Sequence, residues 1–257
     1  MTDTEAFFER RGDDYQALTP ATGPWDKRFQ NGVALSGLLA HILETGPAPE
    51  GMDIARYQLD ILRPAPMDQP LGVQRSMLRD GRRLQATEAA LLSGGDVVAR
   101  ASLVRLRHTE TPAFGGASPP PDPDATPAPP MSTRRPMRGI LQSRLLSGGL
   151  EDPGPGAGWY RFDGDIVAGA AITPFVAAAM TADFGSALSS VLDWREYTFA
   201  NVDISLHLTR APRGPWLHVD AHSVSHGAGR ALVNAVMSDQ DGDFARAHQT
   251  LFVDARN

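Results

Sequence analysis

Hydrophobic and polar positions along the 257-residue chain follow two periods, and the change from one to the other marks the elements. Residues 32–43, GVALSGLLAHIL, are apolar nearly all the way round a helix, with Asn31 placed to cap its start and Gly46-Pro47 to end it. Residues 174–192 do the same behind Thr173 as cap and Pro174 at the first helical position, where a missing N–H costs nothing. A helix without a polar face belongs inside a fold. Between and after these helices the period falls to two. Strand-like runs cover 55–63, 71–79, 83–93 and 96–107, with Asp80-Gly81 and Gly94-Gly95-Asp96 where hairpin turns belong. A further run at 159–162 and a second set from 197 to 256 complete the strands; 25–29 reads as a short strand, and 6–18 as a lead-in before a turn at 19–23. Long apolar helices against antiparallel strands predict an α+β protein, a buried helix lying on a half-buried sheet in each half.

The two halves repeat. An offset of 147 places Leu59 on Leu206, Arg63 on Arg210, Ser76 on Ser223, Arg83 on Arg230 and Gly95-Asp96 on Gly242-Asp243, without a gap. Residues 111–130 carry eight of the 21 prolines and read as a stiff exposed linker, so the expected organisation is a unit over 1–110, a linker over 111–135 and a unit over 136–257. Composition narrows the partners. A net charge of −6 argues against a general nucleic-acid or anionic-membrane binder, and the absence of cysteine excludes disulfides, thiolate metal sites and a thiol nucleophile. The N-terminus lacks an apolar core and no window approaches a membrane span, so the expectation is a cytoplasmic protein without stable membrane insertion.

One carboxylate, Asp183, stands in the second apolar helix, and a buried acid needs a partner or a task. The strand after it sets Asn201, Asp203 and His207 on one face, against Val202, Ile204, Leu206 and Leu208 on the other. Read alone, Asp183 is a cap or an ion-pair partner, and Asn201 and Gln249 belong to a solvated sheet face.

A duplicated long helix wrapped by an antiparallel sheet resembles the double hotdog arrangement, and the motifs resemble most the acyl-CoA thioesterase II (TesB-like) family. The residues that carry this are Phe29-Gln30-Asn31-Gly32-Val33-Ala34-Leu35-Ser36-Gly37, Leu62-Arg63-Pro64 and Leu78-Arg79-Asp80-Gly81-Arg82 in the first half. In the second they are Thr181-Ala182-Asp183, Ala200-Asn201-Val202-Asp203, Arg210, Gly229-Arg230, Asp241-Gly242 and Ala247-His248-Gln249-Thr250-Leu251. The resemblance implies hydrolysis of a fatty acyl-CoA thioester to free acid and CoA by an activated water, with no cofactor, no metal and no covalent intermediate. Carried over by position, the catalytic set is Asp183, Asn201 and Gln249, with Asn201 where the family has a hydroxyl residue. Amides at Asn31-Gly32 in the opposite half are the expected substrate contacts, since a helix N-terminus favours developing negative charge.

Two other readings accompany it: a non-catalytic acyl-CoA or lipid-binding hotdog protein, motivated by Asn201, and a hotdog enoyl hydratase or dehydratase. The latter needs an acid beside a histidine, and Asp203 and His207, four residues apart on a strand, are separated by about 13 Å. His218, Asp220 and His222 share a strand face near His226 and fit a solvent face better than a metal site. His41 reads as a satisfied core residue and Ser36 as helix packing rather than a nucleophile. Arg134, Arg135 and Arg138 are a charge run that suits CoA phosphates or plain solvent. Unpaired sheet edges suggest a homodimer.

Overall fold

The computed structural model describes residues 5–115, 119–124, 137 and 139–256. The first strands, β1 (Ala6–Arg11) and β2 (Asp14–Ala17), form a hairpin in place of the expected lead-in. Phe7 and Phe8 of β1 are fully buried, which anchors the hairpin to the core. The expected strand at 25–29 is a loop touching the sheet system only by single bridges, Thr22 to Gln30 and Phe29 to Pro66. Its turn is closed locally: Asp26 accepts from the backbone N–H of Arg28 at 2.9 Å and from its guanidinium, an arrangement that competes with strand pairing.

Helix α1 (Gly32–Glu44) starts where Asn31 Oδ1 accepts from the Ala34 N–H at 2.7 Å, and it is buried from Val33 to Leu43 except at His41. Four antiparallel strands follow: β3 (Met52–Ile61), β4 (Gly72–Asp80), β5 (Leu84–Ser93) and β6 (Asp96–Arg107). The second half opens with β7 (Leu141–Ser147) and β8 (Gly156–Phe162), the former unforeseen, then β9 (Asp165–Val167) and β10 (Ala170–Ala171). Helix α2 (Pro174–Thr181) is capped by Thr173, whose Oγ1 accepts from the Val176 N–H at 3.2 Å. A 3-10 turn, Ala182–Phe184, then interrupts the single helix expected to reach 192, and α3 (Gly185–Leu188) ends early. Ser189 Oγ bonds back to Gly185 O at 2.8 Å and Ser190 Oγ to Leu192 O at 3.0 Å, local bonds that divert the backbone from helix. Strands β11 (Tyr197–Leu208), β12 (Leu217–Val224), β13 (Arg230–Asp239) and β14 (Gly242–Ala255) complete the repeat.

The halves share one ten-stranded sheet, ordered β4-β5-β6-β3-β11-β14-β13-β12-β8-β7. At its centre β3 pairs antiparallel with β11, and Gln58 faces Ser205, its own equivalent under the 147-residue offset. Asp60 faces Asp203 while Arg56 faces His207, pairs that exchange under the same offset, so the joint is a pseudo-two-fold axis. Two edges of the kind that suggested a dimer are therefore taken up within the chain. The β1–β2 hairpin, β9 and β10 form a separate four-stranded sheet.

The helices lie antiparallel between these sheets. Gly37 permits their crossing, because a Cβ there would come 2.8 Å from Met180 Cγ and 2.6 Å from Ile166 Cδ1. Ser36 Oγ donates to Ala179 O at 2.7 Å, and Tyr57 Oη donates to Ser36 O at 3.0 Å; Ser36 is helix packing, as expected. Among the described residues no helix is long and apolar enough to cross a membrane.

Candidate active site

The 3-10 turn that breaks the second helix carries Asp183, and the antiparallel crossing brings it against the start of α1 from the other half. A Cβ at Gly32 would run into Asp183 Oδ1, so only glycine lets the two elements meet. Asn201 Nδ2 donates to Asp183 Oδ1 at 2.7 Å and lies 3.4 Å from Asp183 O. This overturns the alternation that set Asn201 beside Asp203 and His207. A β-bulge in β11 between Asn201 and Asp203 leaves Val202 unpaired and exposed, so Asn201 turns toward the helices with buried Phe199. Asp203 keeps the opposite side, accepting from Thr250 N at 2.8 Å and Thr250 Oγ1 at 3.1 Å.

Gln249 occupies the core face of β14 between buried Ala247 and Leu251, itself 2% exposed, and not a solvated face. Its Nε2 donates to Ala182 O, fixing the amide so that Oε1 faces Gly185 Cα. Gln249 therefore stands behind the helix break rather than on the cavity wall, while Asp183, Asn201, Asn31 and Gly32 line a cavity of about 400 Å³. Asn201 Oδ1, Gln249 Oε1, Gln30 Oε1 and Thr181 Oγ1 are buried and find no hydrogen-bond partner among the described residues. Buried acceptors without donors are uncommon in folded proteins and mark places where a small polar group belongs.

The Asn31 side chain is fully engaged: besides capping Ala34, its Nδ2 donates to Pro20 O at 3.0 Å and Thr22 O at 3.1 Å. It shapes the site through the backbone rather than by its own amide. Most of the remaining lining is apolar, with Thr22, Asp26, Arg63 and Ser186 as its polar members. Trp25 packs edge-on against Phe199, with centroids 5.4 Å apart, and Phe184 stacks on Tyr160 at 4.6 Å. Gln30 also lines it, holding Pro66 O through Nε2 at 2.8 Å. No periodicity exposes Gln30, Trp25 or Phe199 as wall residues; the nearest signal is a polar pair, Gln30-Asn31, standing before an all-apolar helix.

The other end of the helix pair carries a direct contact between the helices. There Glu44 Oε2 accepts from Thr173 Oγ1 at 2.6 Å, at the start of α2, while the buried Arg105 donates to Leu43 O at 2.8 Å and Gln85 Oε1 at 3.0 Å. Burial pushes the Glu44 carboxyl up, against the opposing pulls of the Thr173 hydroxyl and Arg105. The start of each helix thus meets the later part of the other, α1 at the cavity beside Asp183 and α2 at the Thr173–Glu44 bond.

The remaining candidates separate. His41 is half-buried at the α1 C-terminal turn rather than a core residue, and burial, with Arg75 and Arg10 nearby, lowers its basicity. His218 packs edge-on against Trp159 at 5.0 Å, buried, while Asp220 and His222 are exposed. Among the described residues no group of three His, Asp or Glu side chains could hold a metal ion. Arg134, Arg135 and Arg138 lie outside the described residues.

Sequence-family models agree with this architecture. An acyl-CoA thioesterase N-terminal domain matches residues 21–106, and an acyl-CoA thioesterase C-terminal domain matches 115–253. No curated protein matches the chain. Among solved structures, a hotdog-fold protein of unknown function from Alicyclobacillus acidocaldarius superposes with a TM-score of 0.79 at 17% identity, covering 97% of this chain and 96% of that one. A protein from Novosphingobium aromaticivorans assigned as a thioesterase gives 0.72 at 25% identity, covering 96% and 98%. An acyl-CoA thioesterase II from Mycobacterium marinum gives 0.71 at 17% identity, covering 99% and 96%. With the two domain models spanning the repeat and the double hotdog architecture shared along nearly the whole length, the chain belongs to the acyl-CoA thioesterase family.

Proposed function

We propose that the protein hydrolyses an acyl-CoA thioester in the cavity between its two repeats. The observation that carries this is the position of the Asp183–Asn201 pair: a carboxylate and an amide in the wall of a largely apolar chamber, against the N-terminus of α1. The acyl chain lies along Trp25, Phe29, Leu35, Phe184 and Phe199. Asp183 takes a proton from a water as the water oxygen bonds to the thioester carbon. The N-terminal turn of α1 favours the negative charge that develops on the carbonyl oxygen. Collapse of the tetrahedral intermediate breaks the C–S bond, and the proton held by Asp183 passes to the leaving sulfur, giving a carboxylic acid and CoA thiol. Asn201 orients the carboxylate through Nδ2, and its bare Oδ1 and the Oε1 of Gln249 are acceptors suited to a water.

The test is thiol release from acyl-CoA esters of graded chain length. Asp183→Asn is expected to lower kcat about 10²–10⁴-fold, the usual worth of a positioned general base, with the melting temperature little changed. Gln249→Ala should lower it as well, through Asp183's turn. Folded wild-type protein that binds acyl-CoA without releasing thiol would replace this reading by a non-catalytic acyl-CoA binder, which the Asn201 substitution favours.

A further inference from the structure

We infer that Arg63 is an oxyanion receptor at the mouth of this cavity, holding a phosphate of the CoA nucleotide; the inference rests on the acyl-CoA reading above. The argument starts from the repeat. Arg63 and Arg210 are equivalents under the 147-residue offset, and each follows the strand that pairs across the pseudo-two-fold axis. Arg210 is committed to structure. Its guanidinium grips the fully buried Asp239 with two bonds of 2.6 and 2.7 Å, donates to Gly242 O at 2.7 Å, and lies over the Phe244 ring. In the first half the positions at the end of β5 are Leu92 and Ser93, so the carboxylate is missing.

Arg63 keeps a backbone anchor, Nη1 donating to Val97 O at 3.0 Å, and its ion pair is with Asp96 at 3.9 Å, a loose contact in which both side chains are more than half exposed. A pair of that kind holds little energy and yields readily to a better anion. Among the described residues lining the cavity, Arg63 is the one cation, and its 55% side-chain exposure places it where the cavity meets solvent. A guanidinium anchored on one side, with its remaining N–H groups outward, matches the forked geometry that phosphate oxygens accept. The chain's net charge of −6 repels a polyanion in general, so a local cation at the mouth is what a CoA ester needs there. A carboxylate at the far end of a dicarboxylic acyl chain offers the same chemistry, and the experiment separates the two.

Arg63→Gln keeps a donor for Val97 O, so the fold is preserved; thermal melting checks this. The KM for an acyl-CoA is expected to rise about tenfold or more, the worth of a charge-assisted hydrogen bond, with kcat unchanged. The KM for the matching acyl-pantetheine, which lacks phosphate, should not move. An effect confined to dicarboxylyl thioesters, with or without the nucleotide, would support the receptor and name the carboxylate as its anion. Calorimetric binding of CoA and of pantetheine to both proteins needs no turnover, so it tests Arg63 even if hydrolysis is absent. Equal binding and equal KM for wild type and Arg63→Gln with every ligand would overturn the inference.

Discussion

At the scale of single residues, the site depends on one glycine and one bulge. Gly32→Ala would drive a methyl group into Asp183 Oδ1. Because catalysis tolerates little displacement of a reacting group, turnover should fall about 10²-fold, with little loss of melting temperature at a first-turn helix position. Steady-state kinetics beside a melting curve separates the two effects. The histidines supply a pH signature. Burial holds His218 and His41 below their ordinary value of 6.5, so below that value the unfolded chain takes up protons before the folded one does. Stability is therefore expected to fall as pH drops from about 7 to 5, and His218→Phe, which keeps the ring against Trp159, should flatten that slope. Melting temperatures across that range measure it.

At the scale of elements, the Arg210–Asp239 pair ties the end of β11 to the β13–β14 turn. Burial alone would push the Asp239 carboxyl up; the bonds from Arg210, with the Arg213 and Asp241 amides, outweigh it and hold the group below the usual carboxylate range. A carboxylate depressed in the folded state contributes stability at neutral pH that is lost as pH falls through its folded value. Arg210→Met leaves a buried, unpaired charge and is expected to cost about 3–5 kcal/mol by denaturant titration, far more than the same change at the loosely paired Arg63. The α1–α2 crossing is tested by Gly37→Val, which forces side-chain atoms into Met180 and Ile166 and should cost about 1–3 kcal/mol by overpacking.

At the scale of the whole molecule, the β3–β11 joint and the shared core predict that the halves do not fold separately. A fragment covering 1–110 would expose the β3 edge and the α1 face that packs on α2. It should be unfolded or aggregated by circular dichroism and gel filtration, whereas the full chain should unfold in one transition in urea. The two ends of the helix pair are built differently. Asp183 and Glu44 stand at opposite ends of the same helix pair, but Glu44 accepts from Thr173 and is neighboured by buried Arg105, whereas Asp183 faces a cavity.

The sequence by itself determined the elements that a periodic pattern encodes: two buried helices with their caps, the four strands of the first repeat and the turns between them, and through the 147-residue offset the duplication. Local rules suffice there, because an apolar stripe or an alternating run has one stable way to bury itself. The sequence also named Asp183, since an acid in an apolar helix conflicts with its surroundings and stands out. Tertiary structure decided the rest. The bulge at Val202 reverses the face of Asn201, and no alternation rule reports a bulge before strands pair. Gln249 is buried because β14 turns that face to the helix break, and the 25–29 segment is loop because Asp26 bonds Arg28 locally and the segment makes only a single bridge, Phe29 to Pro66. The pairing of Asp183 with Gly32 joins residues far apart in the chain, and only the antiparallel crossing of α1 and α2, permitted by Gly37, brings them together.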